Sequence, residues 1–401
     1  MRDVPRVVWV LAAGRFVNAC GSFLFTFLFL YLTGPRGIPL GPAGLLAGSL
    51  GAGLLLGNFT GGGFGDRYGH RRVMLVGSAA VGLLTLAIPW LPSPVLVVAL
   101  PVLGYASATT GVSQGALAAL AAPPGDRRRA VAIGRTAFNA GCVIGPPLGA
   151  LLSTYGFTWL FVVDGAVTLV VRLVTARLLP TEPAPAARPD GRGRPALWPA
   201  LRADPGLLLL LPAIVGVDLV YRQLYSTVPV YLRDGGQPVA LYAALIALGS
   251  GLILCLELPV ALALRRRNAV GIVAAGYVLV GLGFGLFTLG TATVAVVAAM
   301  VVITAGEILY KTTATAYVLD AAPDRLVGRY QGLYTGAATS GTILSPPVGA
   351  LAYSAGPRLL WPACAVVAVG AGALAWWSGR RPRPGAPTGP PVPAAAPASG
   401  P

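Results

Sequence analysis

The chain of 401 residues is 55% hydrophobic and only 10% charged, with a formal net charge of +16 and a mean hydropathy of +0.74. A soluble domain carries about 25% charged residues, so a water-facing globule is excluded and the composition is that of a polytopic membrane protein. The positive charge sits in short segments between apolar runs rather than on one continuous basic face, which sets nucleic acid aside as a partner.

Twelve spans are predicted: 6–33, 41–64, 73–91, 94–122, 130–154, 157–179, 206–232, 239–264, 269–289, 292–320, 328–355 and 358–378. About 20 residues cross the hydrocarbon, so several spans must tilt or project beyond it. The first follows Arg2 and Arg6 with no small-residue cleavage site, and is expected to be a retained helix. The predicted organisation is a six-helix bundle over 1–179, a Pro/Arg/Ala-rich cytoplasmic linker over 180–205, a second six-helix bundle over 206–378 and a disordered cytoplasmic tail over 379–401. Twenty-one arginines fall in the termini and loops on one side of these spans, against Arg36, Arg233 and Arg358 on the other. The arginine-rich side, which holds both termini, is therefore expected to be cytoplasmic.

The first span carries Arg15 and, a turn later, Asn18, a candidate counter-ion or anion contact within the membrane. Phe23, Phe27 and Tyr31 recur every four residues and share a helix face. Such a stripe is either packing or the wall of an apolar cavity, together with Tyr221, Tyr225 and Tyr310.

Between the second and third spans lies a dense polar turn, Gly62-Gly63-Phe64-Gly65-Asp66-Arg67-Tyr68-Gly69-His70-Arg71-Arg72. The pattern Gly-x-x-x-Asp-Arg-x-Gly-x-Arg-Arg resembles the signature loop between the second and third helices of major facilitator superfamily transporters. That resemblance implies an all-α fold of twelve transmembrane helices in two pseudo-symmetric six-helix halves. It also implies that Gly62, Asp66, Arg67, Gly69, Arg71 and Arg72 form a latch holding the outward-facing state. His70 stands where a basic residue is usual, and Gly65 replaces a common alanine. A positive-inside loop with no further role would look similar.

Span five contains Gly141, Gly145, Pro146, Pro147 and Gly149, loosely similar to a Gly-Pro signature of exporters, where Gly and Pro permit close packing and a bend. The motif returns in span eleven as Pro346-Pro347-x-Gly349, displaced by 200 residues. Tyr31-Leu32 and Tyr231-Leu232, and Gly51 and Gly251, keep the same offset, which points to a duplicated unit.

An ionisable group inside a span costs about 2.5–3.5 kcal/mol at the helix centre and is a functional candidate by default. Asp164, Asp218, Glu257 and Glu307 are candidate proton-coupling acids. Asp218 with Arg222, and Glu307 with Lys311, the sole lysine, are four apart with the acid first, so each can form a local pair, either structural or functional. Asp164, Glu257 and Arg15 have no such neighbour in sequence. Tyr221-x-Gln223 in span seven and Glu257-Leu258-Pro259 in span eight resemble segments of bacterial drug-exporter members of the superfamily.

These features together suggest a proton-coupled exporter of small amphipathic molecules, monomeric, in a bacterial plasma membrane. The alternatives are a proton-linked uptake symporter, disfavoured by few and scattered Asn and Gln, and an integral membrane enzyme. Only Asp66 with His70, or Asp320 with Asp324, offers a surface cluster for the latter. No phosphate loop, metal-ligand cluster or cofactor motif is present in the sequence, so no cofactor is expected.

Overall fold

The computed structural model describes residues 5–121, 127–179, 205–264, 267–320 and 327–380. Of the expected linker at 180–205, all but Pro205, which opens the next helix, lies outside them, as does the tail beyond residue 380. Apart from short turns, the described chain is helical. The helices are α1 (Arg6–Cys20), α2 (Leu24–Thr33), α3 (Leu40–Tyr68), α4 (His70–Ala87), α5 (Ser93–Ala121), α6 (Arg127–Ser153) and α7 (Thr158–Leu178). They continue as α8 (Pro205–Tyr221), α9 (Thr227–Asp234), α10 (Val239–Leu264), α11 (Ala269–Leu286), α12 (Thr293–Asp320), α13 (Val327–Ala355) and α14 (Pro357–Ser378). Ten segments among the described residues are long and apolar enough to cross a bilayer. The two further helices of spanning length, α6 and α13, contain the Pro-Pro pairs and more polar residues.

Two predicted spans are interrupted. Span one divides into α1 and α2 around Gly21–Phe23, and span seven into α8 and α9 through a 3-10 turn at Arg222–Tyr225. A helix start leaves N–H groups without intrahelical acceptors. At the first break Asp164 supplies one: its Oδ2 accepts from Phe23 N at 2.9 Å and Leu24 N at 3.0 Å. At the second break Gln223 holds hydroxyls rather than backbone N–H groups. Its Oε1 accepts from the hydroxyls of Ser226 and Thr227 at 3.1 and 2.8 Å, and its Nε2 donates to Ser345 O at 3.1 Å. The duplication seen in the sequence is thus repeated in the backbone. Gly156 and Gly356, 200 apart, both have positive φ, 117° and 137°.

Within the first half α5 packs on α3 and α4, α7 on α4, and α6 on α1. In the second half α11 packs on α12 and α14, and α8 on α13 and α14. The halves meet along two seams, α3 against α13 and α6 against α10. Small residues allow the first seam: a Cβ at Gly51 would lie 2.5 Å from Thr342 O, so only glycine fits.

On the arginine-poor side the halves are tied together. Tyr242 Oη lies 3.1 Å from both Thr26 O and Leu224 O, and its ring meets Phe27 edge-on at 6.0 Å. Nearer the surface, Arg233 Nη1 donates to Thr33 Oγ1 at 3.2 Å.

Candidate functional site

A cavity of about 540 Å³ lies between the halves, within the range of about 300–1,000 Å³ typical of small-molecule sites. The first half contributes Ser22, Phe25, Phe29, Asn58, Phe138 and Cys142, and the second Tyr221, Arg222, Tyr225, Ser250, Lys311 and Thr339. The Tyr242 and Arg233 contacts close it toward the arginine-poor side.

Two acids sit behind the cationic wall. Glu307 Oε1 accepts from Lys311 Nζ at 2.6 Å, and Oε2 accepts from Tyr221 Oη at 2.8 Å. The Lys311 ammonium also lies over the Tyr221 ring, 5.0 Å from its centroid. Asp218 Oδ2 accepts from Gly341 N at 3.0 Å, and its Oδ1 is 3.5 Å from Arg222 Nε. Side-chain exposure separates the partners: 46% for Lys311 against 7% for Glu307, and 35% for Arg222 against 10% for Asp218. The cations face the cavity and the carboxylates are hidden behind them. One helical turn between acid and base produces this layering in both pairs.

Residues 11–346 match the Major Facilitator Superfamily. The chain belongs to the major facilitator superfamily.

It is similar to the uncharacterized MFS-type transporter YttB of Bacillus subtilis, 26% identical over 86% of this chain and 88% of that one. A Na(+), Li(+), K(+)/H(+) antiporter of Planococcus maritimus is 29% identical over 58% of this chain and 59% of its own. Among solved structures, a POT family transporter in complex with 5-aminolevulinic acid superposes with a TM-score of 0.80 at 13% identity, covering 94% of this chain and 96% of that one. The nucleoside transporter NupG reaches 0.72 at 14% identity, covering 93% and 99%. These likenesses establish a multi-pass membrane transporter of the superfamily fold, not an enzyme.

Within that fold, the sequence-derived residues fall into separate places. Tyr221, Arg222, Glu307, Lys311 and Asp218 converge at the cavity wall. Arg15, Asn18 and Asp164 line a second, smaller cavity inside the first half. Gln223 is 1% exposed, with its amide engaged at the helix break, so it braces α9 rather than facing the cavity. Glu257 does have a partner, although not one near in sequence. Arg135 Nη2 donates to its Oε1 at 2.5 Å, across the α6–α10 seam between halves.

The aromatic stripe of span one packs instead of lining the cavity. Phe23 and Phe27 are buried against Gly149, and Tyr31 packs on Phe157 and Phe161. Tyr310 is buried as well, against Tyr277. The opposite face of α2 supplies the cavity's Phe25 and Phe29. Periodicity identifies a face but not which way it points. The break at Gly21-Ser22 is the sequence signal that α2 need not continue the register of α1.

The superfamily loop is shorter than its charge suggests. Helix α3 runs through Asp66 and Arg67 to Tyr68, α4 restarts at His70, and the turn is Gly69 alone, with φ 90°. His70 Nε2 lies 3.4 Å from Asp66 Oδ1, Arg67 stacks over Tyr68, and Arg71 Nη2 donates to Ala176 O at 2.6 Å, tying the turn to the end of α7. Gly62 has open space around it and Arg72 is exposed. Of the Gly-Pro motif, Gly145 and Gly149 let α6 lie close on span one. Pro146 and Pro346 line the cavity, Pro347 packs against Gly44 and Gly48 of α3, and Pro147 is exposed.

Proposed function

We propose that the protein exports small amphipathic, drug-like molecules in exchange for protons, by alternating access in a bacterial plasma membrane. It does so as a monomer, with both ends of the chain cytoplasmic. Its first half spans 1–179 and its second 206–378, joined by the linker between them.

The arrangement around Glu307 carries this reading. A carboxylate set behind the wall of the cavity is held by an ammonium and a phenol that face the solute space. Taking up a proton dissolves that ion pair, so Lys311 presents its charge to the cavity without that counter-ion. Giving up the proton restores it. The state of one acid is therefore expressed in the charge that a solute meets. Asp218 on α8 and Arg222 at the start of the 3-10 turn repeat the device, 3.5 Å apart. The positive-inside bias makes the arginine-rich side cytoplasmic, so the closure by Tyr242 and Arg233 leaves the cavity facing inward. The lining mixes Phe25, Phe29, Phe138 and Tyr225 with few amide groups, which suits an amphipathic solute better than a sugar.

Exchange of monovalent cations for protons is a second reading, favoured by the Planococcus relative. The cavity's own charges weigh against it, since Arg222 and Lys311 stand in front of the acids. Inside-out vesicles separate these readings. Proton-driven accumulation of an amphipathic dye is expected, abolished by a protonophore and by Glu307→Gln and unaffected by added sodium, lithium or potassium. Accumulation that persists without the proton gradient overturns the proposal.

A further inference from the structure

The smaller cavity, of about 200 Å³, lies among α1, the start of α2, α4, α5, α6 and α7, and shares Ala19, Ser22, Phe25 and Phe138 with the central one. The two therefore adjoin behind α1. The smaller one is polar for its depth. Thr85 is 1% exposed and its Oγ1 has no hydrogen-bond partner among the described residues. Asn18 Oδ1, Ser107 Oγ and Thr110 Oγ1, also buried on its walls, are equally unpartnered among those residues. Buried side-chain polar atoms are paired in the large majority of cases, so four orphans around one void point to an occupant.

The charge at the site identifies the occupant's chemistry. Arg222 and Lys311 each have a carboxylate. Arg15 reaches into the smaller cavity with no carboxylate at ion-pair distance among the described residues. Asp164 lines the same void but belongs to its far end. Its Oδ2 is held by Phe23 N and Leu24 N, past the end of α1, and it makes no ion pair with Arg15 among the described residues. The α2 N-terminus already offsets that negative charge. The Arg15 end is left positive, with hydroxyls free to turn their protons inward and a guanidinium fork suited to two oxygens.

We propose that Arg15, with Asn18, Ser107 and Thr110, binds the carboxylate or sulfonate of an organic anion whose apolar body lies against Phe25 and Phe138. This rests on the central cavity being the solute site, and it narrows the solute to amphipathic anions. Such a group would satisfy the orphaned hydroxyls and the uncompensated guanidinium together.

Calorimetry on the purified full-length chain tests this with three isosteric probes: benzoate, benzamide and benzamidinium. Benzoate is expected to bind, with the neutral and cationic probes about tenfold weaker or worse. Arg15→Gln should lose about tenfold or more in benzoate affinity, Arg15→Lys should recover part of it, and Thr110→Val should weaken it without touching the charge. The probe series on the wild-type chain stands even if an Arg15 variant misfolds. Equal binding of all three probes, benzoate binding indifferent to Arg15, or displacement of benzoate by millimolar chloride, the mark of a resident inorganic anion, would each overturn the proposal. No proton gradient is used, so failure of proton coupling leaves the result intact, and loss of benzoate selectivity leaves proton-driven export standing for another solute class.

Discussion

Lys311 sits one turn after Glu307 and shares its carboxylate with Tyr221, two hydrogen bonds of 2.6 and 2.8 Å. Removing the phenol leaves the carboxylate with the ammonium alone. Tyr221→Phe should therefore cost about 1–3 kcal/mol of stability, measured by thermal unfolding in detergent, and shift the pH profile of transport. Lys311→Gln should be more damaging to transport than to folding, because the charge it removes faces the cavity. The local pairs were legible from i,i+4 spacing, since a helix places such residues on one face. Arg135 with Glu257 was not, because the two are 122 residues apart and meet only where the halves touch. The roles of Asp164 and Gln223 were also hidden. Both satisfy backbone or side-chain groups at breaks within spans, and hydropathy does not reveal a break.

At the scale of elements, two seams join the halves, and each has a distinct weak point. On α3, any side chain at Gly51 collides with the backbone at Thr342. Gly51→Val should overpack the seam by about 1–3 kcal/mol and abolish transport while leaving membrane insertion intact, read by uptake assay and by expression level. On α6 and α10, the Arg135–Glu257 ion pair crosses between halves on their arginine-rich parts. Glu257→Arg should impair transport through like-charge repulsion, and the added Arg135→Glu should restore it. A double variant no better than the single one would show the contact to be incidental. Helix existence and order were legible because long apolar runs leave few alternatives. Helix ends were less so. Helix α3 extends to Tyr68 past its apolar run, because Asp66 and Arg67 remain helical once outside the hydrocarbon, up to the positive-φ turn at Gly69. Gly69→Ala should accordingly cost about 1–2 kcal/mol by forcing a side chain into that conformation.

For the molecule as a whole, the two halves share short motifs at one offset, are broken at matching places and wrap around a cavity to which both contribute. In the proposed alternating cycle, the closed arginine-poor end and the layered charge pairs correspond to the inward-facing member. The duplication was legible from the Pro-Pro and Tyr-Leu repeats, but the cavity wall was not, since it is assembled from spans far apart in sequence. Spin-label distances across both ends test the cycle most directly, with one pair at Pro35 and Pro238 and another at Arg72 and Arg267, in a chain cleared of its four cysteines. Across a change of pH, the account predicts two populations whose distances move oppositely, the first pair lengthening as the second shortens. A single unchanging distance at both ends, under conditions where the same protein transports, would contradict it.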